Sequence, residues 1–184
     1  MNRINGFKLP SYFLLITLFL SLSACSPHPD FDVYTGKALN IGIIGEPPEI
    51  KEEQVQFHKI SFDDLMDKNL DSYDAIFIMK ENLSQAGKKH YSEVYLNSAM
   101  PFFFIAAKSH IPFTEVAIDF DDSSWENWNW TSEDSSVYVS GMMSNPEEDL
   151  FKSWDYGLYN DTKTEEHILD VYSRIFMTIE DSES

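Results

Sequence analysis

The chain has 184 residues, a hydrophobic share of 43%, an aromatic share of 15% and a formal net charge of −18. That length suits one domain with appendages, and the apolar share supports a packed core. The acidic balance weighs against nucleic acid and bare anionic lipid surfaces as partners, because affinity for polyanions rests on lysine and arginine.

The first residues depart from this acidic character. Arg3 and Lys8 are the only charged side chains before Asp30, and residues 12–22 read YFLLITLFLSL. An apolar run of this length falls short of the roughly 20 residues an ordinary membrane-spanning helix takes. A basic start, a short apolar run and small residues after it describe a secretory signal peptide. Ser23 and Ala24 stand directly before Cys25, the only cysteine in the chain.

The stretch Leu22-Ser23-Ala24-Cys25 resembles a bacterial lipobox. The resemblance implies that residues 1–24 are removed as a lipoprotein signal peptide and that the Cys25 sulfur carries a diacylglyceryl group. The new amino terminus is then open to a further acyl chain such as palmitate. The chemistry needs a thiol nucleophile and small neighbours that let the backbone enter the processing enzymes. A lone exported thiol has no disulfide partner, which counts against a structural role. A free thiol behind an unrelated leader, or a plain secreted protein, is the alternative. Each buried lipid methylene adds about 0.8 kcal/mol of membrane affinity, and two chains give stable anchoring. With Arg3 and Lys8 gone the charge moves from −18 to −20. No Arg-Arg pair precedes the apolar run, so export proceeds unfolded and no cofactor is expected.

Residues 25–38, with two prolines and a glycine, read as the lipidated cysteine and a tether, and the domain proper as 39–184. LNIGIIG (39–45) reads as a buried strand closed by glycine, and VQFHKI (55–60) as a second strand. SFDDLMDKNL (61–70) begins with Ser61 and has Asp64 three residues on, a capping-box helix start. YDAIFIM (73–79) and PFFFIAA (101–107) read as strands, with a helix over 82–100 that places Tyr91, Val94, Tyr95 and Ser98 on one face. TEVAIDF (114–120) and SVYVSGMM (136–143) read as later strands at a sheet edge or in a hairpin. The terminal stretch 164–184 reads as an amphipathic helix with Ile168, Val171, Tyr172, Ile175, Phe176 and Ile179 on its core face. This order predicts a single three-layer α/β domain with a mainly parallel sheet and a C-terminal amphipathic helix.

In an open α/β sheet, ligands bind outside the carboxyl ends of the strands. The first loop there, GEPPEIKEE (45–53), is hostile to a phosphate: Pro47 and Pro48 have no N–H, and Glu46 and Glu49 repel it. No nucleotide site is expected. No metal site is expected either. The histidines 28, 58, 90, 110 and 167 are scattered, and His90 with Glu93 makes at most half a site. Ser140 before Gly141 does not form a GxSxG elbow, so no catalytic residue is assigned. Acidic pairs such as Asp63-Asp64, Asp121-Asp122 and Glu147-Glu148 are ordinary in a chain with 31 acidic residues.

The most distinctive stretch is 119–136, DFDDSSWENWNWTSEDSS. Trp125, Trp128 and Trp130 among Glu126, Asn127 and Asn129 suggest a stacking platform for a sugar ring with hydroxyl-binding neighbours. Asp119, Asp121 and Asp122 suggest a calcium loop, but without EF-hand spacing. The competing reading folds the tryptophans onto the sheet.

The segments YDAIFIMKENL (73–83) and PFFFIAAKSHIPF (101–113) are similar to small uncharacterised lipoproteins of Gram-positive, Bacillus-type bacteria, a resemblance that implies no particular activity. Together these readings predict a lipid-anchored protein on the extracytoplasmic face of the cell membrane, acting as a non-catalytic binding or interaction module. Its partner would be an envelope protein or cell-wall glycan. The alternatives are an envelope hydrolase and a glycan-binding protein. A two-lobed solute-binding protein would need a longer chain.

Overall fold

The computed structural model describes residues 29–67, 70–117 and 136–182. The chain divides into two compact units, Met1–Phe31 and Asp32–Ser184, and all the elements below belong to the second.

Six strands form one sheet: β1 (Leu39–Ile44), β2 (Val55–Lys59), β3 (Ala75–Ile78), β4 (Phe102–Ile105), β5 (Val137–Asn145) and β6 (Leu150–Gly157), in the order β2-β1-β3-β4-β5-β6. The first four run parallel, with Ile41 opposite Phe57 and Ala75, and Phe77 opposite Phe103. β5 then runs antiparallel to β4 and β6 antiparallel to β5. The sheet is therefore mixed, a correction to the mainly parallel sheet expected from the sequence. β5 alone opposes the other strands, and a tight reversal after Asn145 brings β6 back to the direction of β1 to β4. The Asn145 side chain accepts a hydrogen bond from the Glu147 N–H, Pro146–Glu148 form one 3₁₀ turn, and Asp149 takes φ of 52°, turning the chain back as a hairpin.

Strand β6 has no apolar run to announce it. Only Tyr156 along it is fully buried, because the remaining side chains face solvent or half-covered surface. By contrast β3 (AIFI) and β4 (FFFI) are buried at every position. Their alternate side chains enter two separate clusters, which is why the sequence does not alternate. Ile41, Ile43, Phe77, Phe103 and Ile105 pack in the first cluster, while Ile44, Ile76, Ile78, Phe102 and Phe104 pack in the second.

Helices α1 (Phe62–Met66), α2 (Leu83–Ala86), α3 (Lys89–Leu96) and α4 (Ile111–Thr114) feed the second cluster through Phe62, Leu65, Leu83, Tyr91, Val94, Tyr95 and Phe113. The Ser61–Asp64 capping box starts α1 as expected, but the helix ends at Met66. The single helix expected over 82–100 is instead two. The Gly87 N–H caps α2 by donating to Leu83 O, and Lys88 is extended, so α3 restarts at Lys89. The strand expected over 114–120 is absent from its described part. Pro112 sits in the first turn of α4, Thr114 closes it, and 115–117 make no strand; residues 118–120 lie outside the described residues.

Helix α5 (Glu165–Ser182) matches its expected span and face, burying Val171, Tyr172, Ile175, Phe176 and Ile179 in the first cluster. Phe176 stacks on Phe77 with ring centroids 6.2 Å apart and planes at 5°. Tyr34, within the stretch read as a tether, is 2% exposed and lies in the same cluster, 5.9 Å from Phe176. Its hydroxyl donates to Lys37 O, and Gln54 Nε2 donates to its carbonyl.

Candidate functional site

Strands β1 and β3 are neighbours, yet the chain leaves them in opposite directions. The β1–β2 connection crosses the α5 side, where Ile50 packs in the first cluster. There the Ser173 hydroxyl donates to the buried Glu52 carboxylate, which also accepts the Lys51 N–H at 3.1 Å. The chain after β3 passes through a 3₁₀ turn, Lys80–Asn82, into α2 and the second cluster. Loops that part at adjacent strands open a crevice outside the carboxyl ends of the sheet.

Glu81 stands in that crevice. Its Oε1 accepts the Glu46 N–H at 3.4 Å, and Asn82 Nδ2 donates to Ile44 O at 3.3 Å, tying the two loops together. Gly45 makes the approach possible. It has φ of 122°, and a Cβ there would fall 2.6 Å from Glu81 Oε1 and from Met79 Cβ. Lys59 Nζ holds Glu46 through both carboxylate oxygens, at 2.6 and 2.7 Å.

Beside the crevice lies an open cleft of about 440 Å³, walled by Pro48 and Glu49 on one side and by Lys163, Thr164, Glu165, Ile168, Leu169 and Tyr172 on the other. Tyr172 is 3% exposed, and its hydroxyl has no hydrogen-bond partner among the described residues. Burial pushes its phenol well above the usual tyrosine range, and the nearby Tyr138 and Glu81 push the same way. Tyr138, half-buried at the start of β5, is raised by burial too. Lys163 Nζ lies 5.5 Å from the centroid of the Tyr138 ring. The cleft thus combines an apolar wall, the Tyr172 phenol, carboxylates at its edge and one ammonium, that of Lys163, which reaches the Tyr138 ring nearby. That set can bind and orient a ligand, and contains no activated nucleophile.

The residues singled out from sequence fall elsewhere. Cys25, Trp125, Trp128 and Trp130 lie outside the described residues, as do Asn127, Asn129, Glu126, Asp119, Asp121 and Asp122. Ser140 is fully buried, and its hydroxyl donates to Asp155 Oδ1 at 2.8 Å across the β5–β6 hairpin. Asp155 in turn acts on His110, whose pKa is lowered by burial and partly restored by that carboxylate. The serine therefore bonds to the acid and not to the histidine, the reverse of a serine-hydrolase relay. His90 and Glu93 are exposed on α3, and the His90 ring rests 3.9 Å from that of Tyr91. Among the described residues no three His, Cys, Asp or Glu side chains gather where they could hold a metal ion. No helix among them is long and apolar enough to cross a membrane.

Glu81, Tyr138, Lys163 and the Tyr172 hydroxyl escaped the sequence reading. Tyr172 occupies a core position of an amphipathic helix, and nothing in the periodicity marks a hydroxyl left without a partner. Gly45 at a strand end was the one available signal. No protein-family model, curated protein or solved structure matches this chain.

Proposed function

We propose that this chain is a lipoprotein anchored to the extracytoplasmic face of a bacterial membrane through a diacylglyceryl-modified Cys25, and that its α/β domain is a non-catalytic binding or interaction module. The anchor reading is supported by Leu22-Ser23-Ala24-Cys25 behind a basic, then apolar, leader. The domain is read as three layers, with α5 and the β1–β2 connection over one sheet face and α1 to α4 over the other. The division of the core into two clusters supports this.

The observation that carries the binding reading is the cleft beside Gly45. Its wall is apolar, its polar groups are unreactive, and it lies at the carboxyl edge of the sheet, where α/β domains hold ligands. A partner in the envelope, protein or cell-wall glycan, fits a domain held at the membrane, and the acidic charge disfavours nucleic acid. An envelope hydrolase is the rival reading, with the Ser140–Asp155 pair nearest to it, but a serine without exposed surface offers substrate no access. Feeding cells a labelled fatty acid tests the anchor: label should follow the wild-type chain and be lost in Cys25→Ala. Equal labelling of both, or of neither, overturns it.

A further inference from the structure

We infer that the cleft beside Gly45 binds an organic cation, an alkyl-ammonium group whose carbon stem lies on the apolar wall; this rests on the reading of the domain as a binding module. Four observations lead there. The wall is aliphatic, from Pro48, Ile168 and Leu169, and receives a short carbon chain. Glu49 and Glu165 border the cleft and Glu81 stands in the adjoining crevice against the Glu46 N–H, so carboxylates outnumber Lys163, the one ammonium lining the cleft. Tyr172 is 3% exposed, and its hydroxyl keeps accessible surface at the cleft and makes no hydrogen bond among the described residues, so it is open to a bound polar group. Finally, Lys163 shows what this surface attracts: its ammonium lies over the Tyr138 ring at 5.5 Å. The Tyr138 ring draws cations, and Glu49 and Glu165 at the cleft edge repel anions.

Lys163 then acts as a tethered competitor. A ligand ammonium displaces it from the Tyr138 face, and its own charge opposes ligand entry. This leads to an unusual expectation: removing a polar side chain from the binding site should strengthen binding.

The test uses the full chain in non-ionic detergent, with butylammonium, butyrate and butanol as probes of equal stem and different charge. Binding is read by calorimetry and by the ring signals of carbon-labelled tyrosine. Butylammonium should bind and move the Tyr138 and Tyr172 signals, while butyrate should not. Lys163→Ala should tighten it by about threefold to fivefold, and Glu81→Gln and Glu165→Gln should each weaken it by a similar factor. Tyr172→Phe, which keeps the ring and the packing, should weaken it without unfolding the domain. An acetylated Gly-Lys-Gly amide separates the sources. Affinity well above that of butylammonium assigns the ammonium to a peptide side chain, and equal affinity assigns it to a free amine. Butyrate binding that is lost in Lys163→Ala would overturn the inference, as would absence of any shift with millimolar butylammonium. Fatty-acid labelling of Cys25 is independent of these readouts, so failure of the anchor and failure of the cation site are told apart.

Discussion

At Gly45 the backbone takes φ of 122°, and the space where a Cβ would go is filled by Met79 and the Glu81 carboxylate. Gly45→Ala should therefore lower stability by about 1–3 kcal/mol in chemical denaturation, combining backbone strain with displacement of Glu81. The same substitution should disturb the crevice, because Glu81 is held by the Glu46 N–H that follows this glycine. Tyr156 gives a pH-dependent expectation. Burial pushes its phenol up to about 12 from an ordinary 10.0, with partial relief from its hydrogen bond to Thr178 and from Arg174. Between those values the unfolded chain loses a proton that the folded chain keeps. The contribution is complete below about pH 10 and is lost as pH rises through about 12. Stability should fall by about 2–3 kcal/mol across that window, and Tyr156→Phe should remove this part of the slope in urea titrations. Tyr172, raised further by burial and its neighbours, steepens the fall in the same direction.

At the scale of elements, α5 follows its sequence pattern while the β5–β6 hairpin does not. α5 is a core helix throughout its middle, with Phe176 fully buried between Phe77, Tyr172 and Tyr34. Phe176→Ala should cost about 3–5 kcal/mol by thermal or chemical unfolding, a loss that an exposed partner-binding helix would not show. The hairpin is fastened by Ser140 and Asp155, so Ser140→Ala should cost about 1 kcal/mol and leave ligand binding unchanged. Loss of binding without loss of stability would contradict that structural role. Elements buried on both sides were legible in the sequence. AIFI, FFFI and the stretch IGII after the exposed Asn40 form strands because unbroken apolar runs fill two clusters at once. β6 was not legible, because seven of its eight residues stay partly or fully open to solvent. The α2–α3 break was present as Gly87, but helical spacing of Tyr91, Val94 and Tyr95 outweighed it.

For the whole molecule, the fold class followed from the order of apolar runs, while strand direction in β5 and β6 did not. β5 is set against β4 by the connection that precedes it, and β6 is turned back by the reversal at Asn145–Asp149, where Asp149 reaches φ of 52° without a glycine to announce it. The cleft was hidden for a different reason. It gathers Pro48 from one loop, Tyr172 from a core helix and Glu81 from another loop, and only the folded sheet brings these together. The proposed anchor, conversely, rests on sequence alone, on the order of charge, apolar run, small residues and Cys25. An acidic domain of this kind has little electrostatic hold on an anionic membrane, so on the proposed reading the lipid would supply the attachment. The most direct measurement is therefore intact mass with membrane fractionation, wild type beside Cys25→Ala. Wild type should sediment with membranes, begin at Cys25 and carry a lipid-sized mass increment, while the variant should do none of these. Two soluble chains of unmodified mass would contradict the account.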